Sequence, residues 1–311
     1  MNANLRHESV LLEEAVAALN LEPESIVIDA TFGRGGHSTK VLEQLGENGR
    51  LIAIDKDPAA IEFANQNFGN DKRFTIEHCT FAEIAQVANK YDVNGKVSAI
   101  LMDLGVSSPQ LDEAERGFSF SKDGPLDMRM DSSRGTSAAQ WIAKAKESEI
   151  KSVLRDFGEE KQAGRIARKI VSVREEQPIT RTLQLAKIIE EVIPKRHDMK
   201  KHPATRSFQA IRIFINNELG DLAAGLEDAF SILKVGGRLV IISFHSLEDR
   251  IVKRFFKRLS KGDDFPKDLP VRADELKPKL SLVGKPFKPT ELEVDDNVRS
   301  RSAIMRVAEK L

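Results

Sequence analysis

The sequence predicts an α/β fold in which a mostly parallel sheet carries helices on both faces and is interrupted by an inserted helical subdomain. Three observations lead to this prediction. Short, continuously apolar runs alternate with helical patterns, which favours strands that are buried on both faces. The first four runs begin about 25 residues apart, close to the length of one strand–helix–strand unit. The fifth begins at Arg238, 135 residues after Asp103 ends the fourth, so roughly 100 residues are inserted there.

The individual elements follow from apolar runs, glycine turns and proline positions. The predicted strands are Ser25–Asp29, Arg50–Asp55, Phe74–His78, Val97–Asp103 and Arg238–Ser243, with a closing hairpin from about 280–284 and 302–308 that completes seven strands. The predicted core helices are Ser38–Leu45, Pro58–Asn67 and Leu247–Leu259. Those of the insert are Ser137–Lys146, Glu149–Phe157, Glu160–Arg174 and Thr182–Ile193, and one long helical stretch, Thr205–Leu233, then returns to the core. The core is therefore assigned to residues 1–111 and 206–311, and the inserted domain to 112–205.

Composition excludes several classes of protein. Lys and Arg together number 48, as do Asp and Glu, so the chain is neither a polybasic tail nor an acidic solvating protein. The single cysteine, Cys79, excludes an intramolecular disulfide and favours a reducing, cytoplasmic location. No apolar run reaches the ~18 residues of a membrane span, so no membrane partner is expected. The histidines are scattered without a ligand set, so no metal site is expected.

Charge is unevenly distributed within the neutral total. Residues 161–212 hold 13 basic and 5 acidic side chains, and residues 250–288 hold 12 and 5. Two basic blocks indicate a polyanion partner such as RNA, or else solvated helix faces. The candidate phosphate contacts are Arg165, Arg168, Arg206, Arg212, Lys253 and Arg254.

A glycine-rich loop follows the first predicted strand and carries Gly33, Gly35 and Gly36. Glycines allow a close approach of backbone to ligand, and the following helix start offers free N–H groups. Asp55, 22 residues after Gly33, ends the second strand, where an acid accepts hydrogen bonds from ribose hydroxyls. Ser38 stands where the dinucleotide fingerprint needs its last glycine. The arrangement is typical of S-adenosylmethionine-dependent methyltransferases. A structural glycine turn and an NAD(P)-dependent oxidoreductase are the alternatives.

Asp103 ends the fourth strand and is the candidate catalytic residue. The role considered is methylation of an exocyclic amine of a base, whose lone pair is delocalised into the ring. Hydrogen-bond acceptors such as Asp103 around the N–H groups favour attack of that amine on a methyl donor. The alternatives to a catalytic role are that Asp103 caps a helix or that it only binds the cofactor. Phe81 follows the third strand, where an aromatic ring can stack on adenine or simply pack in the core.

Phe244 and His245 follow the fifth strand and are candidate contacts to a target base, or else part of a cleft wall. The serine, histidine and aspartate of this stretch do not indicate a hydrolase, because no G-x-S-x-G elbow is present.

Several longer motifs resemble one family, the bacterial RsmH/MraW methyltransferases. These are His7-Glu-Ser-Val-Leu-Leu-Glu13, Thr31-Phe-Gly-Arg-Gly-Gly-His-Ser38, Asp103-Leu-Gly-Val-Ser-Ser-Pro-Gln110, Arg116-Gly-Phe-Ser-Phe120, Gly124-Pro-Leu-Asp-Met-Arg-Met-Asp131, His202-Pro-Ala-Thr-Arg-Ser-Phe-Gln209, the run from Gly236 to Arg250, and Arg299-Ser-Arg-Ser302. One departure is Val298, where the family usually has proline.

The resemblance implies a Rossmann-like S-adenosylmethionine methyltransferase core with an inserted helical domain that helps to recognise RNA. It implies methylation of the exocyclic N4 of a decoding-region cytidine in 16S ribosomal RNA, with the small ribosomal subunit as partner, and it suggests a homodimer. The implied cofactor contacts are Gly35, Gly36, His37, Asp55, Phe81, Asp103 and Gln110. A non-catalytic RNA-binding assembly factor is the remaining alternative.

Overall fold

The computed structural model describes residues 9–194, 202–262 and 277–311. His7 and Glu8, the first two residues of the N-terminal motif, lie outside these ranges. The described residues form two compact units, one of residues 9–105, 219–262 and 277–311, and the other of residues 106–194 and 202–218. Among the described residues, no helix is both long and apolar enough to cross a membrane.

A seven-stranded sheet forms the centre of the first unit. Its strands are β1 (Ile26–Asp29), β2 (Arg50–Asp55), β3 (Phe74–His78), β4 (Val97–Asp103), β5 (Leu233–Ser243), β6 (Leu280–Leu282) and β7 (Ile304–Lys310). Their order is β3-β2-β1-β4-β5-β7-β6. The first five strands pair in parallel, whereas β7 is antiparallel to both β5 and β6. The predicted fold class and closing hairpin are confirmed.

Helices cover both faces of this sheet. They are α1 (Leu12–Ala18), α2 (Gly36–Gln44), α3 (Pro58–Phe68), α4 (Ile84–Lys90), α11 (Glu218–Ile232), α12 (Ser246–Ser260) and the short α13 (Glu291–Asp296). Alternate strand residues separate into two cores, as the two-residue repeat of a strand requires. Ile28 and Ile100 share one core with α4, α11 and α12, and Val27 and Leu101 share the other with α1, α2 and α3.

The second unit is a helical bundle with a core of its own. Its helices are α5 (Ser108–Asp112), α6 (Ala138–Lys144), α7 (Glu147–Gly158), α8 (Ala163–Glu176), α9 (Thr182–Val192) and α10 (Thr205–Ile215). The core is aliphatic and aromatic, with Trp141, Leu154, Ile170 and Ile189 among its buried side chains. Four of these helices, α6 to α9, lie close to the positions that the amphipathic sequence patterns predict.

Residues 206–218 were assigned to the core from the sequence but pack within the second unit, as do residues 106–111. The reason lies in α10, whose Phe208 and Ile211 belong to the second unit's apolar core. Its backbone also approaches α7 closely, because a methyl group at Gly158 would lie 2.7 Å from the Arg206 carbonyl oxygen.

The prediction of one helical stretch over Thr205–Leu233 is wrong. The helix breaks at Asn216 and Asn217, and Asn217 adopts a left-handed backbone with φ 50°. The Asn216 side chain accepts a hydrogen bond from Met130 N at 2.7 Å and donates one to the Met128 carbonyl oxygen at 2.7 Å. A further difference is that β5 begins at Leu233 rather than Arg238, since Leu233 pairs with Val97 across a register shift.

Candidate active site

Three aspartates end adjacent strands at one edge of the sheet. Asp29, Asp55 and Asp103 are the last residues of β1, β2 and β4, and these strands are neighbours in parallel pairing. Ligands bind at the carboxyl ends of strands in open α/β sheets, so this is the expected edge for a cofactor. The strand assignments made from sequence are sufficient to bring the three carboxylates together.

The glycine loop is fixed by a hydrogen bond to one of these acids. Gly33 N donates to Asp55 Oδ2 at 2.7 Å, and Asp57 N donates to Asp55 Oδ1 at 2.8 Å. Burial raises the pKa of Asp55, against the effect of these two backbone hydrogen bonds. Each carboxylate oxygen has more than one lone pair, so the acid that orders the loop can still accept from a ligand.

Two positions in the loop have no room for a side chain. Gly35 has φ 73°, and a methyl group there would lie 2.6 Å from Phe68 Cζ and 2.8 Å from Phe32 Cζ. At Gly36 a methyl group would collide with Ser9 Oγ. Gly33 is also left-handed, with φ 58°, but its surroundings are open. The loop therefore presents bare backbone and the first N–H groups of α2, an arrangement suited to a carboxylate or phosphate.

Asp29 is hydrogen-bonded to residues on both sides of the glycine loop. The residue is only 2% exposed, and its carboxylate accepts from Ser38 Oγ at 2.7 Å and from Thr31 N at 3.1 Å. Burial raises the pKa of Asp29 from 3.8 to about 6, although both hydrogen bonds act in the opposite direction. The sequence showed the acid at the strand end, but its partner Ser38 was noted only as a missing glycine.

His37 and Asp103 place two further polar side chains at this edge of the sheet. His37 Nδ1 lies 3.8 Å from Asp103 Oδ2, and Asp103 N donates to Thr31 Oγ1 at 2.7 Å. Burial lowers the pKa of His37 to about 4, against the effect of the Val10 backbone, so the ring is neutral near pH 7. Burial, with the charges of Asp29 and Glu248, raises the pKa of Asp103 well above 3.8.

Two buried polar atoms in this pair have no internal partner. Among the residues that the structure describes, neither His37 Nε2 nor Asp103 Oδ1 makes a hydrogen bond. Unsatisfied buried polar atoms are rare, because each one loses its hydrogen bonds to water without compensation. Such a pair at the carboxyl edge of the sheet is suited to receive a ligand with hydrogen-bonding groups.

Phe81 opens a 3-10 turn, Phe81–Glu83, directly after β3. The ring is partly buried and packs against the apolar core beneath it. A methyl group at Gly225 of α11 would lie 3.0 Å from Phe81 Cδ2, so the helix supports the ring closely. Phe81 thus combines the core packing and the partial exposure that stacking on adenine requires.

Comparison with known proteins identifies the family. A family model described as the MraW methylase family matches residues 4–311. The chain belongs to the MraW methylase family. The family resemblance seen in the sequence motifs is confirmed.

Three curated relatives are each named ribosomal RNA small subunit methyltransferase H. The one from Alteromonas mediterranea is 57% identical over 308 residues, covering 98% of both chains. That from Pseudoalteromonas atlantica is 53% identical over the whole of both chains, and that from Thioalkalivibrio sulfidiphilus is 54% identical over 98% of this chain and 97% of its own. Among solved structures, an rRNA methylase from Streptococcus thermophilus aligns with 96% of this chain and 93% of its own at 13% identity and a TM-score of 0.39.

Gln110, which the MraW resemblance adds to the cofactor contacts, lies in the second unit. It is 5% exposed, and its Oε1 accepts from Ser107 N at 3.0 Å at the start of α5. This contact orders the helix start. A contact of Gln110 with the cofactor stays a prediction.

The two predicted base contacts of the first unit lie at the start of α12. His245 is the N-cap of the helix, and its Nδ1 accepts from Glu248 N at 3.4 Å. The buried carboxylate of Glu248 in turn accepts from Phe244 N at 2.8 Å. The sequence analysis missed Glu248, although the spacing of a histidine and a glutamate three residues later is that of a capping box.

The predicted RNA-contacting cations differ in how free their charges are. Lys253 and Arg254 are exposed on α12, and Arg254 lines an open basic pocket of about 440 Å³ with Lys257, Lys261 and Lys279. In the second unit, Arg165, Arg168 and Arg206 are exposed, and Arg168 Nε lies 3.9 Å from Glu147 Oε1 in an exposed pair that solvent screens. Arg212 is different, because its Nε and Nη2 each donate to a Glu218 carboxylate oxygen at 2.8 Å and the pair is largely buried.

Proposed function

We propose that this chain transfers a methyl group from S-adenosylmethionine to the exocyclic N4 of a decoding-region cytidine in 16S ribosomal RNA of the small ribosomal subunit. The observation that carries the proposal is the conjunction of a glycine cradle with unsatisfied polar atoms at the carboxyl edge of the sheet. Membership of a methylase family and full-length relatives named as small-subunit rRNA methyltransferases support it.

The residues at the carboxyl edge of the sheet fit the chemical groups of S-adenosylmethionine. The backbone of Gly33, Gly35 and Gly36 suits the carboxylate of the methionine half, at the positive end of α2. Asp55 suits the ribose hydroxyls, and Phe81 the adenine ring. Bound S-adenosylmethionine supplies a sulfonium-activated methyl group.

Asp103 is proposed to act on the target amine as well as on the cofactor. Its unsatisfied Oδ1 is an acceptor for an N–H of the cytosine amino group. This hydrogen bond orients the amino group so that the nitrogen lone pair leaves conjugation with the ring and is directed at the methyl donor. As the nitrogen–carbon bond forms, the sulfur–carbon bond breaks, and the surplus amine proton leaves to water or a nearby carboxylate. S-Adenosylhomocysteine is the second product.

Exposed cations are proposed to hold the RNA while the base enters the pocket. Enzymes that modify a base take it out of the stack, so the surrounding backbone must be bound separately. We assign phosphate contacts to Lys253 and Arg254 in the first unit and to Arg165, Arg168 and Arg206 in the second, which is the proposed RNA-recognition domain. Arg212 is left out because Glu218 already balances its charge. Phe244 and His245 are proposed contacts to the target base.

The working location and assembly follow from the same proposal. A cytoplasmic location is proposed together with the rRNA substrate, because bacterial small subunits assemble there. A homodimer is also proposed from the family resemblance, and sedimentation of the purified chain tests it.

Nucleoside mapping tests the reaction. Deletion of the gene should remove the N4-methyl group from one cytidine of 16S ribosomal RNA. Mass spectrometry detects this change as a loss of about 14 Da, since hydrogen replaces the methyl group. Plasmid-borne wild type and Glu47→Gln, a variant of an exposed acid, should restore it, and Asp103→Ala should not. An unchanged methylation map after deletion would show that the substrate is wrong.

Kinetics of Asp103→Ala separate the two roles of that residue. Loss of a hydrogen-bonding group oriented at the reacting atoms typically lowers kcat by about 10²-fold or more. A raised KM for the cofactor with normal kcat would leave Asp103 as a cofactor ligand only.

A further inference from the structure

The C-terminal part of the chain holds the N-terminal segment through one carboxylate. Leu11 N donates to Glu293 Oε1 at 2.7 Å, although the two residues are 282 positions apart. Leu11 is the N-cap of α1, is fully buried, and has a left-handed backbone with φ 53°. An L-residue other than glycine adopts this conformation at a cost, and it persists only when its surroundings hold it there.

Glu293 is itself held in a defined place. It lies in the first turn of α13, where Thr290 caps the helix and Thr290 Oγ1 accepts from Glu293 N at 3.2 Å. At the other side of the residue, Asn297 N donates to the Glu293 carbonyl oxygen at 2.7 Å. A carboxylate on a fixed backbone is a directed acceptor rather than a mobile surface charge.

The segment that Glu293 holds, Ser9–Leu11, packs on the proposed cofactor loop. The Ser9 hydroxyl occupies the space that a side chain at Gly36 would need. The Val10 backbone interacts with the His37 ring. Ser9 and Val10 therefore contact the first two residues of α2, and both of those residues are proposed to face the cofactor.

We propose that Glu293 is a positioning residue for cofactor binding: its hydrogen bond to Leu11 holds Ser9–Leu11 against Gly36 and His37 and so keeps the glycine loop in its binding conformation. This inference rests on the proposed function of that loop. Without the acceptor, the buried amide of Leu11 is unsatisfied and its left-handed backbone is no longer favoured. The loop then spends part of its time in other conformations, and the measured affinity falls in proportion to the competent fraction.

Calorimetric titration with S-adenosylhomocysteine tests the proposal. Glu293→Ala should raise the dissociation constant about tenfold, whereas Glu293→Gln, which keeps a carbonyl acceptor, should stay within about threefold of wild type. Glu291→Ala is the matched control, since Glu291 is exposed on the same short helix. With RNA substrate, Glu293→Ala should raise the KM for S-adenosylmethionine and leave kcat at saturating cofactor unchanged.

A second variant guards against a general folding defect. Glu293→Asp keeps the charge and the helix start but withdraws the acceptor by one methylene group, and it should weaken binding as much as Glu293→Ala does. Wild-type affinity in both Glu293→Ala and Glu293→Asp overturns the proposal, whether or not their melting temperatures fall. Failure of the wild-type protein to bind S-adenosylhomocysteine would instead refute the proposed function of the loop.

Discussion

Replacing Gly35 with alanine should destabilise the first unit by about 2–5 kcal/mol, and the two parts of this effect are separable. A left-handed backbone, φ 73° here, costs an alanine about 1–2 kcal/mol. The new methyl group would also lie 2.6 Å from Phe68 Cζ and 2.8 Å from Phe32 Cζ. Those rings pack on each other and on Phe74, with centroids 5.0–5.7 Å apart, so neither can swing away freely. Overpacking of this kind costs about 1–3 kcal/mol more.

Gly33→Ala is the internal control for this prediction. Gly33 is also left-handed, with φ 58°, but a methyl group there would meet only the Thr31 carbonyl oxygen, at 4.0 Å. Gly33→Ala should therefore lower the free energy of unfolding only by the cost of the left-handed backbone, about 1–2 kcal/mol. Equal destabilisation by the two variants would refute the packing argument.

The assay must follow the correct unit. Trp141 belongs to the second unit, so its fluorescence would not report on the glycine loop. Amide hydrogen exchange in β1 and β2, the strands beside the loop, gives the local free energy of opening directly. The difference in that free energy between each variant and wild type is the quantity to compare.

Three further predictions concern the acids and the basic surface. Asp55→Asn should weaken S-adenosylhomocysteine binding about 10–100-fold in calorimetry. The NH₂ group of the new amide must face either Gly33 N or Asp57 N, so one of the two hydrogen bonds that order the loop is lost. Glu62→Gln, at an exposed position, should have no effect. The pKa of Asp29 is raised from 3.8 to about 6, so its ionised form opposes folding above pH 6 and this penalty is relieved as the pH falls towards 4. Lowering the pH from 7.5 to 5 should accordingly stabilise wild type by about 1–2 kcal/mol relative to Asp29→Asn in urea denaturation, and parallel pH profiles would contradict this. Joint replacement of Lys253 and Arg254 by alanine should weaken RNA binding and reduce the salt-dependence slope by about 0.7 per lost phosphate contact, whereas Arg258→Ala should do less because Arg258 is already paired with Glu227.

The sequence was most informative where local pattern and tertiary position coincide. Continuously apolar runs ending in Asp29, Asp55 and Asp103 predicted both the parallel strands and the edge at which the acids meet, because parallel strands share their carboxyl edge. The glycine loop was recognisable for the same reason, since it occupies the turn between a strand and a helix. That loop, together with Asp55, indicated the cofactor, and motif resemblance then supplied the family, which neither apolar periodicity nor charge could provide.

Contacts between distant parts of the chain were not predictable in this way. The apolar repeat continues through Asn216, so the helix break there depends on the loop carrying Met128 and Met130, more than 80 residues earlier. The hydrogen bond between Leu11 and Glu293 likewise joins the two ends of the chain. Arg212 was predicted to contact RNA because of its charge. That charge is paired with Glu218, which lies beyond the break that ends the helix of Arg212, and the sequence pattern did not show this pairing.

Methyl transfer by the purified protein can be measured on its proposed substrate. Small subunits from a strain that lacks the modification are incubated with labelled S-adenosylmethionine, and their RNA is digested to nucleosides. With the wild-type protein, label is expected in N4-methylcytidine from a single decoding-region position, and with Asp103→Ala none is expected. Label in any other nucleoside, or no transfer by a wild-type protein that binds S-adenosylhomocysteine, would contradict the proposed function.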